Sequence, residues 1–382
     1  MSINVPPISI PIAFRMPTVS IGSPKPTLNR LAPALPPLPP AAYNRRTSEQ
    51  GGFRLTTTTN KSILVTGAVG QIGSELTLAL RERYGSERVV AAGHRTPPGA
   101  TLRDSGPYET VDVTNRGDLE RVIDAYDIDT VYHLAAILSA KGEENPQLAW
   151  RVNIDGTMNV LEVARERALS RIFIPSSIAV FGPETPRESA PQETVLLPTT
   201  MYGITKVAGE LLGDYYVRSF GLDIRGLRYP GIISSETPPG GGTTDYAVDI
   251  FYQALLKGRY TCFVREDTVL PMMYMPDCIK ATLDLMEADL ASLKHHASFN
   301  VAGMSFSAGE IAAEISKHVP GFQCTFEPDF RQKIADSWPK AIDDRAARTE
   351  WGWAPSYDLA SMTEDMLTRL RARLSAEGSL TP

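Results

Sequence analysis

The chain has 382 residues, 42% hydrophobic and 21% charged, enough to bury a full α/β core and a second lobe. Charged, Gly or Pro residues interrupt every hydrophobic run short of the roughly 18 apolar residues that a membrane-spanning helix needs, so no membrane partner is expected. The net charge of −6 is unevenly spread: before Lys61, six basic residues (Arg15, Lys25, Arg30, Arg45, Arg46, Arg54) face Glu49 alone, and the acidic remainder will not seek nucleic acid.

Residues 1–60 read as a separate, unfolded head. Eleven prolines fall before residue 42, and their missing donors and fixed φ disfavour both helix and sheet. Scattered arginines, no acid before Glu49 and the run Thr56 to Thr59 are similar to an organelle transit peptide. Mitochondrial placement is the expectation, with a cytoplasmic protein carrying an untargeted head as the alternative. Cys262, Cys278 and Cys324 are odd in number and lack paired ligand spacing, which argues against disulfides and a zinc site and for reduced core thiols; no metal is expected.

Regular alternation starts at Lys61. Ser62 to Thr66 is a short apolar strand, followed by the turn Gly67, Gly70, Gly73 and a helix to about Tyr84. Gly67 permits a tight turn, Gly70 close approach of backbone to a pyrophosphate, and Gly73 packing of helix on strand. Gln71 and Ile72 stand at the helix N-terminus, whose unpaired N–H groups suit anionic oxygens. The second strand, Arg88 to Ala92, should end in an acid if the ribose 2′-hydroxyl of NAD is to be held, but it ends Gly93-His94-Arg95. Arg95 could pair with a 2′-phosphate, so NAD and NADP both stay open, as does a plain solvent role for Arg95.

Further on, Asp112 and Val113 follow the strand Glu109 to Val111 and face the adenine. Leu134, Ala135 and Ala136 follow the strand Asp129 to His133 and would pass beneath the nicotinamide ribose. A helix through Asn153 to Arg167, a strand Arg171 to Pro175, a helix from about Met201 and a strand Asp223 to Leu227 continue the alternation. The fold class is α/β, a doubly wound parallel (Rossmann) sheet over 61–230, with Tyr229 at its end in the candidate cofactor set. Residues 231–376 form a smaller C-terminal substrate-binding lobe. Its helices are expected at Pro276 to Glu287, Ser307 to His318 and Asp358 to Arg373, the chain returning to the first domain near 275–287.

Tyr202 and Lys206 lie four residues apart on one helix face, and Ser177 lies twenty-five residues upstream at the end of a core strand. Removing hydride from a secondary alcohol requires loss of the hydroxyl proton, and a free phenol has a pKa of about 10. A cation must therefore favour the phenolate. Lys206 supplies that charge and can hold the nicotinamide ribose, Tyr202 is the general base, and Ser177 orients the substrate oxygen. Asn153 is placed to anchor the lysine through water, with a capping or core-polar role as the alternative.

These residues resemble the extended short-chain dehydrogenase/reductase family, in particular its L-threonine 3-dehydrogenase branch. TGAVGQIG from Thr66 and YGITKVAGE from Tyr202 are common to the whole superfamily. PSSIAVFGP from Pro175 and RYPGIIS from Arg228 also match. HLAAILSAKGE from His133, PGGGTTDYA from Pro239, LPMMYM from Leu270 and PDFRQKIADSWP from Pro328 are far more particular to that branch. The resemblance implies oxidation of L-threonine at Cβ to 2-amino-3-oxobutyrate with reduction of NAD. It places Ser177 and Tyr202 at the β-hydroxyl, with Ser139, Thr243 and Trp338 at the amino-acid end. The run Gly240 to Gly242, followed by Thr243, can offer N–H and hydroxyl donors to a carboxylate. Gly93 departs from the acid usual in NAD-using members and puts the cofactor in question. The family's habit of pairing two long helices across a twofold axis implies a homodimer. A sugar-nucleotide epimerase of the same fold and a catalytically silent nucleotide-sensing module are the rival readings; Ile178 and Ala179 after Ser177 lack the acid pair that a dehydratase would carry.

Overall fold

The computed structural model describes residues 62–238 and 242–380. The expected Pro-rich head and the glycines Gly240 and Gly241 lie outside them. Among the described residues, six strands pair in parallel in the spatial order Tyr108–Thr110, Val89–Gly93, Ser62–Thr66, Ile128–His133, Arg171–Phe173, Ile224–Arg225. Chain order therefore reverses between Ser62–Thr66 and Ile128–His133. Helices from the two halves diverge there, and a crevice opens beyond the carboxyl ends of these two strands.

Both sheet faces are covered, which is why the strands are near-continuous apolar runs. Alternation sends Leu64, Val90, Val131 and Ile172 to one face, against Leu119, Val122, Val160 and Leu161. Val65, Val89, Ala91 and Phe173 go to the other, against Leu76 and Leu80 of the Gln71–Tyr84 helix. The Met275–Glu287 helix packs on this second face through Cys278, Ala281 and Leu285, so a segment from late in the chain completes the first core.

One expected strand and one expected helix are each divided. The sheet strand Ile224–Arg225 stops at Gly226, and Leu227–Tyr229 pairs instead with Ser176–Ser177 and Phe299–Asn300. A Cβ at Gly226 would lie 2.5 Å from both the Ile174 and Ala297 carbonyl oxygens, so only glycine lets three backbones meet where the chain changes sheets. The helix expected through Asn153 opens with a π-helical turn, Arg151–Asp155, before the α-helix Gly156–Glu166.

Past Pro230 the chain is more regular than its composition suggests. Val269–Tyr274 pairs in parallel with Gly231–Ile233 and antiparallel with Met304–Ser307, and Arg259–Cys262 pairs with Gln323–Phe326. Tyr246 and Phe251 of the Tyr246–Lys257 helix, Met272, Tyr274, Ile311, Met366 and Leu370 form its core. Ser307 with Glu310, and Asp358 with Ser361, build capping boxes at the two helices expected there. Cys262 and Cys278 are buried free thiols, and burial pushes Cys262 up to about 11. No helix among the described residues is long and apolar enough to cross a membrane.

Candidate active site

A single cleft of about 650 Å³ runs along the switch point from the glycine turn to Trp338. Gly67, at φ +70°, stands where a Cβ would come within 2.6 Å of Ala135 N, so the first-strand turn lies directly on the loop after Ile128–His133. A Cβ on Gly73 would sit 2.2 Å from the Gly67 carbonyl oxygen, so helix and turn close on each other only with glycine at both positions. Gly70 N-caps the Gln71–Tyr84 helix with no side-chain cap and no acid in its first turn. The first amides of that helix are thus left to a ligand, and the turn fits a pyrophosphate.

Gly67, Gly70, Gln71, Ile72 and Gly73 line one end of the cleft, together with Arg95, Asp112 and Val113. Leu134, Ala135 and Ala136 line its middle. Burial opposes ionisation of Asp112, but hydrogen bonds from Thr114 N and Oγ1, at 2.9 and 2.7 Å, and the nearby His94 and Arg95 hold the carboxyl below its usual range. Tyr229 lines the cleft too, its hydroxyl bonded to Thr282.

Toward the other end stand Ser177, Tyr202 and Lys206. Thr200 Oγ1 accepts from Gly203 N at 3.1 Å and starts the Met201–Phe220 helix. A Cβ on Gly203 would meet the Ala179 carbonyl oxygen at 2.2 Å; glycine beside Tyr202 therefore seats the helix on the segment that follows Ser177. Ser177 Oγ accepts from Ala179 N at 3.2 Å. Lys206 Nζ donates to the Pro175 carbonyl oxygen at 2.7 Å and lies 5.5 Å from the Tyr202 ring centroid.

Burial pushes the Tyr202 phenol up to about 12 against the opposing pull of Ser177, and pushes the Lys206 ammonium down to about 8 against that of Glu210. Ser177 is thus the group that pulls the phenol down, while the Lys206 ammonium, desolvated and held by one hydrogen bond to the Pro175 carbonyl, keeps two further N–H donors beside the ring.

Asn153 is the one predicted residue that does not line the cleft. It receives Ile137 N at 2.8 Å and donates to the Ile137 carbonyl at 3.0 Å and Thr205 Oγ1 at 3.0 Å, pinning the loop after Ile128–His133 to the tyrosine helix. A narrow adjoining pocket of about 20 Å³, room for one water, touches Asn153, Lys206 and His133. His133 Nδ1 lies 2.8 Å from Thr66 Oγ1, its register partner on the neighbouring strand, and burial holds the imidazole down at about 3, hence neutral.

Sequence reasoning missed Glu210 and Arg228. Glu210 continues the four-residue spacing of Tyr202 and Lys206, which was the available signal. It accepts from Ser176 Oγ and, at 2.8 Å on each oxygen, from Arg228 Nε and Nη2. Ser176 pairs with Arg228 and Ser177 with Tyr229 across the short ladder, so this ion pair ties the strand carrying Ser177 to the helix carrying Tyr202.

At the far end Ser139, Thr243 and Trp338 line the cleft; Thr243 and Trp338 are buried. Gly242 N donates to Asp245 Oδ2 at 2.8 Å, shaping the backbone beside Thr243.

The profile of the NAD dependent epimerase/dehydratase family matches residues 63–302. The chain belongs to this family. An uncharacterized epimerase/dehydratase from Staphylococcus haemolyticus is 50% identical over 312 residues, which cover 81% of this chain and 98% of that one. Among solved structures, this family member is similar to the holo form of a GalE-like L-threonine dehydrogenase from Cupriavidus necator, at 53% identity and a TM-score of 0.79, covering 81% of this chain and 99% of that one. It is also similar to a monomeric L-threonine 3-dehydrogenase from a metagenome, at 50% identity and a TM-score of 0.78, with the same shares covered. The fold is thus that of the extended short-chain dehydrogenases/reductases, and the chain is an enzyme of the NAD dependent epimerase/dehydratase family.

Proposed function

We propose that this enzyme oxidises L-threonine at Cβ to 2-amino-3-oxobutyrate. The observation that carries this reading is the continuity of one cleft, in which the glycine turn, the Ser177, Tyr202 and Lys206 group and the buried Thr243 and Trp338 follow in sequence. The similarity to L-threonine dehydrogenases over four-fifths of the chain supports it.

Gly67, Gly70, Gln71, Ile72 and Gly73 hold the pyrophosphate of the cofactor, and Leu134 to Ala136 lie along its nicotinamide half. When bound, the nicotinamide supplies the acceptor for the hydride lost from Cβ. Tyr202 takes the proton of the β-hydroxyl, which Ser177 orients by hydrogen bonding. Lys206 holds positive charge beside the phenol, fixed by the Pro175 carbonyl, so the proton moves within a site of stable geometry. The pocket shared by Asn153 and Lys206 has room for one water on the side of the lysine. Thr243 receives the carboxylate of the amino acid, with Ser139 and Trp338 closing the site around it. The reading is tested by initial rates of nicotinamide reduction with L-threonine and by conversion of UDP-glucose to its epimer. Reduction with threonine and no epimerisation is the expected pair of results; the reverse pair assigns the chain to the epimerases.

We infer further that two copies associate through the Met201–Phe220 helix. Ile204, Leu211 and Tyr215, at 42%, 62% and 50% exposure, make an apolar stripe along it, and Trp150 is exposed on the Pro146–Trp150 helix that packs against it. Such a stripe on a surface helix favours a self-complementary partner.

A further inference from the structure

We propose that this enzyme accepts NADP as well as NAD, the choice being set by Gly93, Tyr108 and Arg95 at the adenosine end of the cleft. The proposal rests on the reading of the cleft as a nicotinamide dinucleotide site.

In a doubly wound sheet, an acid at the end of the second strand accepts the ribose 2′-hydroxyl, and its charge repels a 2′-phosphate at the same point. Here the second strand ends in Gly93, whose carbonyl accepts from Val111 N at 2.8 Å and which lines the cleft. The glycine is packed in place. A Cβ at this position would lie 2.3 Å from Tyr108 Oη and 3.2 Å from Val69 Cγ1. Tyr108 comes from the adjacent strand, where Ala91 is its register partner and Thr110 is that of Gly93. A phenol therefore occupies the volume into which an acid at 93 would grow. Burial raises the pKa of that phenol, so it carries no charge at neutral pH.

Two basic side chains follow at once. His94 and Arg95 are exposed and line the cleft. The carboxylate that remains at this end, Asp112, is already engaged: Thr114 N and Oγ1 donate to Oδ1, and His94 Nε2 stands 3.6 Å from Oδ2. Arg95 makes no ion pair of its own among the described residues, and a guanidinium can meet a phosphate with two parallel hydrogen bonds. At the strand end itself, where an NAD enzyme carries its acid, this chain offers a glycine followed by His94 and Arg95, and the Asp112 charge nearby is held by Thr114 and faced by His94 and Arg95.

The test is equilibrium binding to the full-length protein by titration calorimetry, with NADH, NADPH and 2′,5′-ADP as ligands and no threonine present. Wild-type protein should bind NADPH within about tenfold of NADH and should bind 2′,5′-ADP measurably. Arg95→Ala should weaken NADPH and 2′,5′-ADP by about tenfold or more and leave NADH within about twofold. Gly93→Asp combined with Tyr108→Ala, which opens room for the acid, should lose 2′,5′-ADP and keep NADH; should this pair fail to fold, the Arg95→Ala comparison decides. The proposal is overturned if wild-type protein binds NADH but NADPH about a hundredfold more weakly, or if Arg95→Ala weakens both alike. Binding of neither nicotinamide would overturn it together with the reading of the cleft, whereas failure of threonine turnover leaves these binding results intact.

Discussion

Arg228 grips Glu210 through both carboxylate oxygens at 2.8 Å, each side chain 5% exposed, one helical turn beyond Lys206. The two Nη1 donors go to the Gln192 carbonyl and Asn300 Oδ1, at 3.0 and 3.1 Å, so the buried charges are both paired and hydrogen-bonded. Removing one partner leaves the other buried alone. Glu210→Ala should therefore lower unfolding free energy by about 3–5 kcal/mol, read from urea denaturation, while Glu210→Leu with Arg228→Met should recover much of the loss. A Glu210→Ala protein with an unchanged midpoint would show that the pair does not hold the site together.

Tyr202→Phe removes the proton acceptor and keeps the ring. We expect kcat/KM for the alcohol to fall by about a thousandfold or more, with NADH affinity within about twofold of wild type. Turnover close to wild type would show that the proton leaves by another route.

The pH dependence follows from the direction of the phenol's shift. Burial has raised Tyr202 to about 12, so the ionised base is scarce at neutral pH and increases with each step upward. Oxidation should accelerate with pH from 7 toward 9, by up to about tenfold per unit while the phenol remains mostly protonated. In the same range Lys206, lowered by burial to about 8, loses its charge, which bends the upper part of the profile. A maximum below neutrality would contradict this assignment of base and cation.

Burial of the exposed stripe on the tyrosine helix predicts that Leu211→Glu yields a monomer by sedimentation where wild-type protein sediments as a dimer, with the melting temperature of the monomer little changed. The metagenomic relative is described as monomeric, so a monomeric wild-type mass would place this chain with it.

Much of this site was legible in the residues because its parts demand particular side chains at short spacing. A turn that approaches a pyrophosphate needs Gly67, Gly70 and Gly73, and a shared helix face needs Tyr202 and Lys206 four apart. Long-range pairings left no such trace. Arg228 reaches Glu210 only because Gly226 lets its strand leave the main sheet and lie beside Ser176. Asn153 read as an anchor for Lys206 through water; the structure sets both at a pocket with room for one water, and its amide also pins Ile137 and Thr205, contacts that no local spacing announces. Gly93 read as a missing acid; packing shows a position already filled by the phenol of a neighbouring strand.

The most direct test of threonine oxidation through Ser177, Tyr202 and Lys206 is isotope transfer. With L-threonine deuterated at Cβ and oxidised nicotinamide cofactor, mass spectrometry should find one deuterium on each reduced nicotinamide formed, and the rate should fall relative to unlabelled threonine when hydride transfer limits turnover. Reduced nicotinamide without deuterium, or none at all while the cleft binds cofactor, would contradict hydride removal from threonine Cβ.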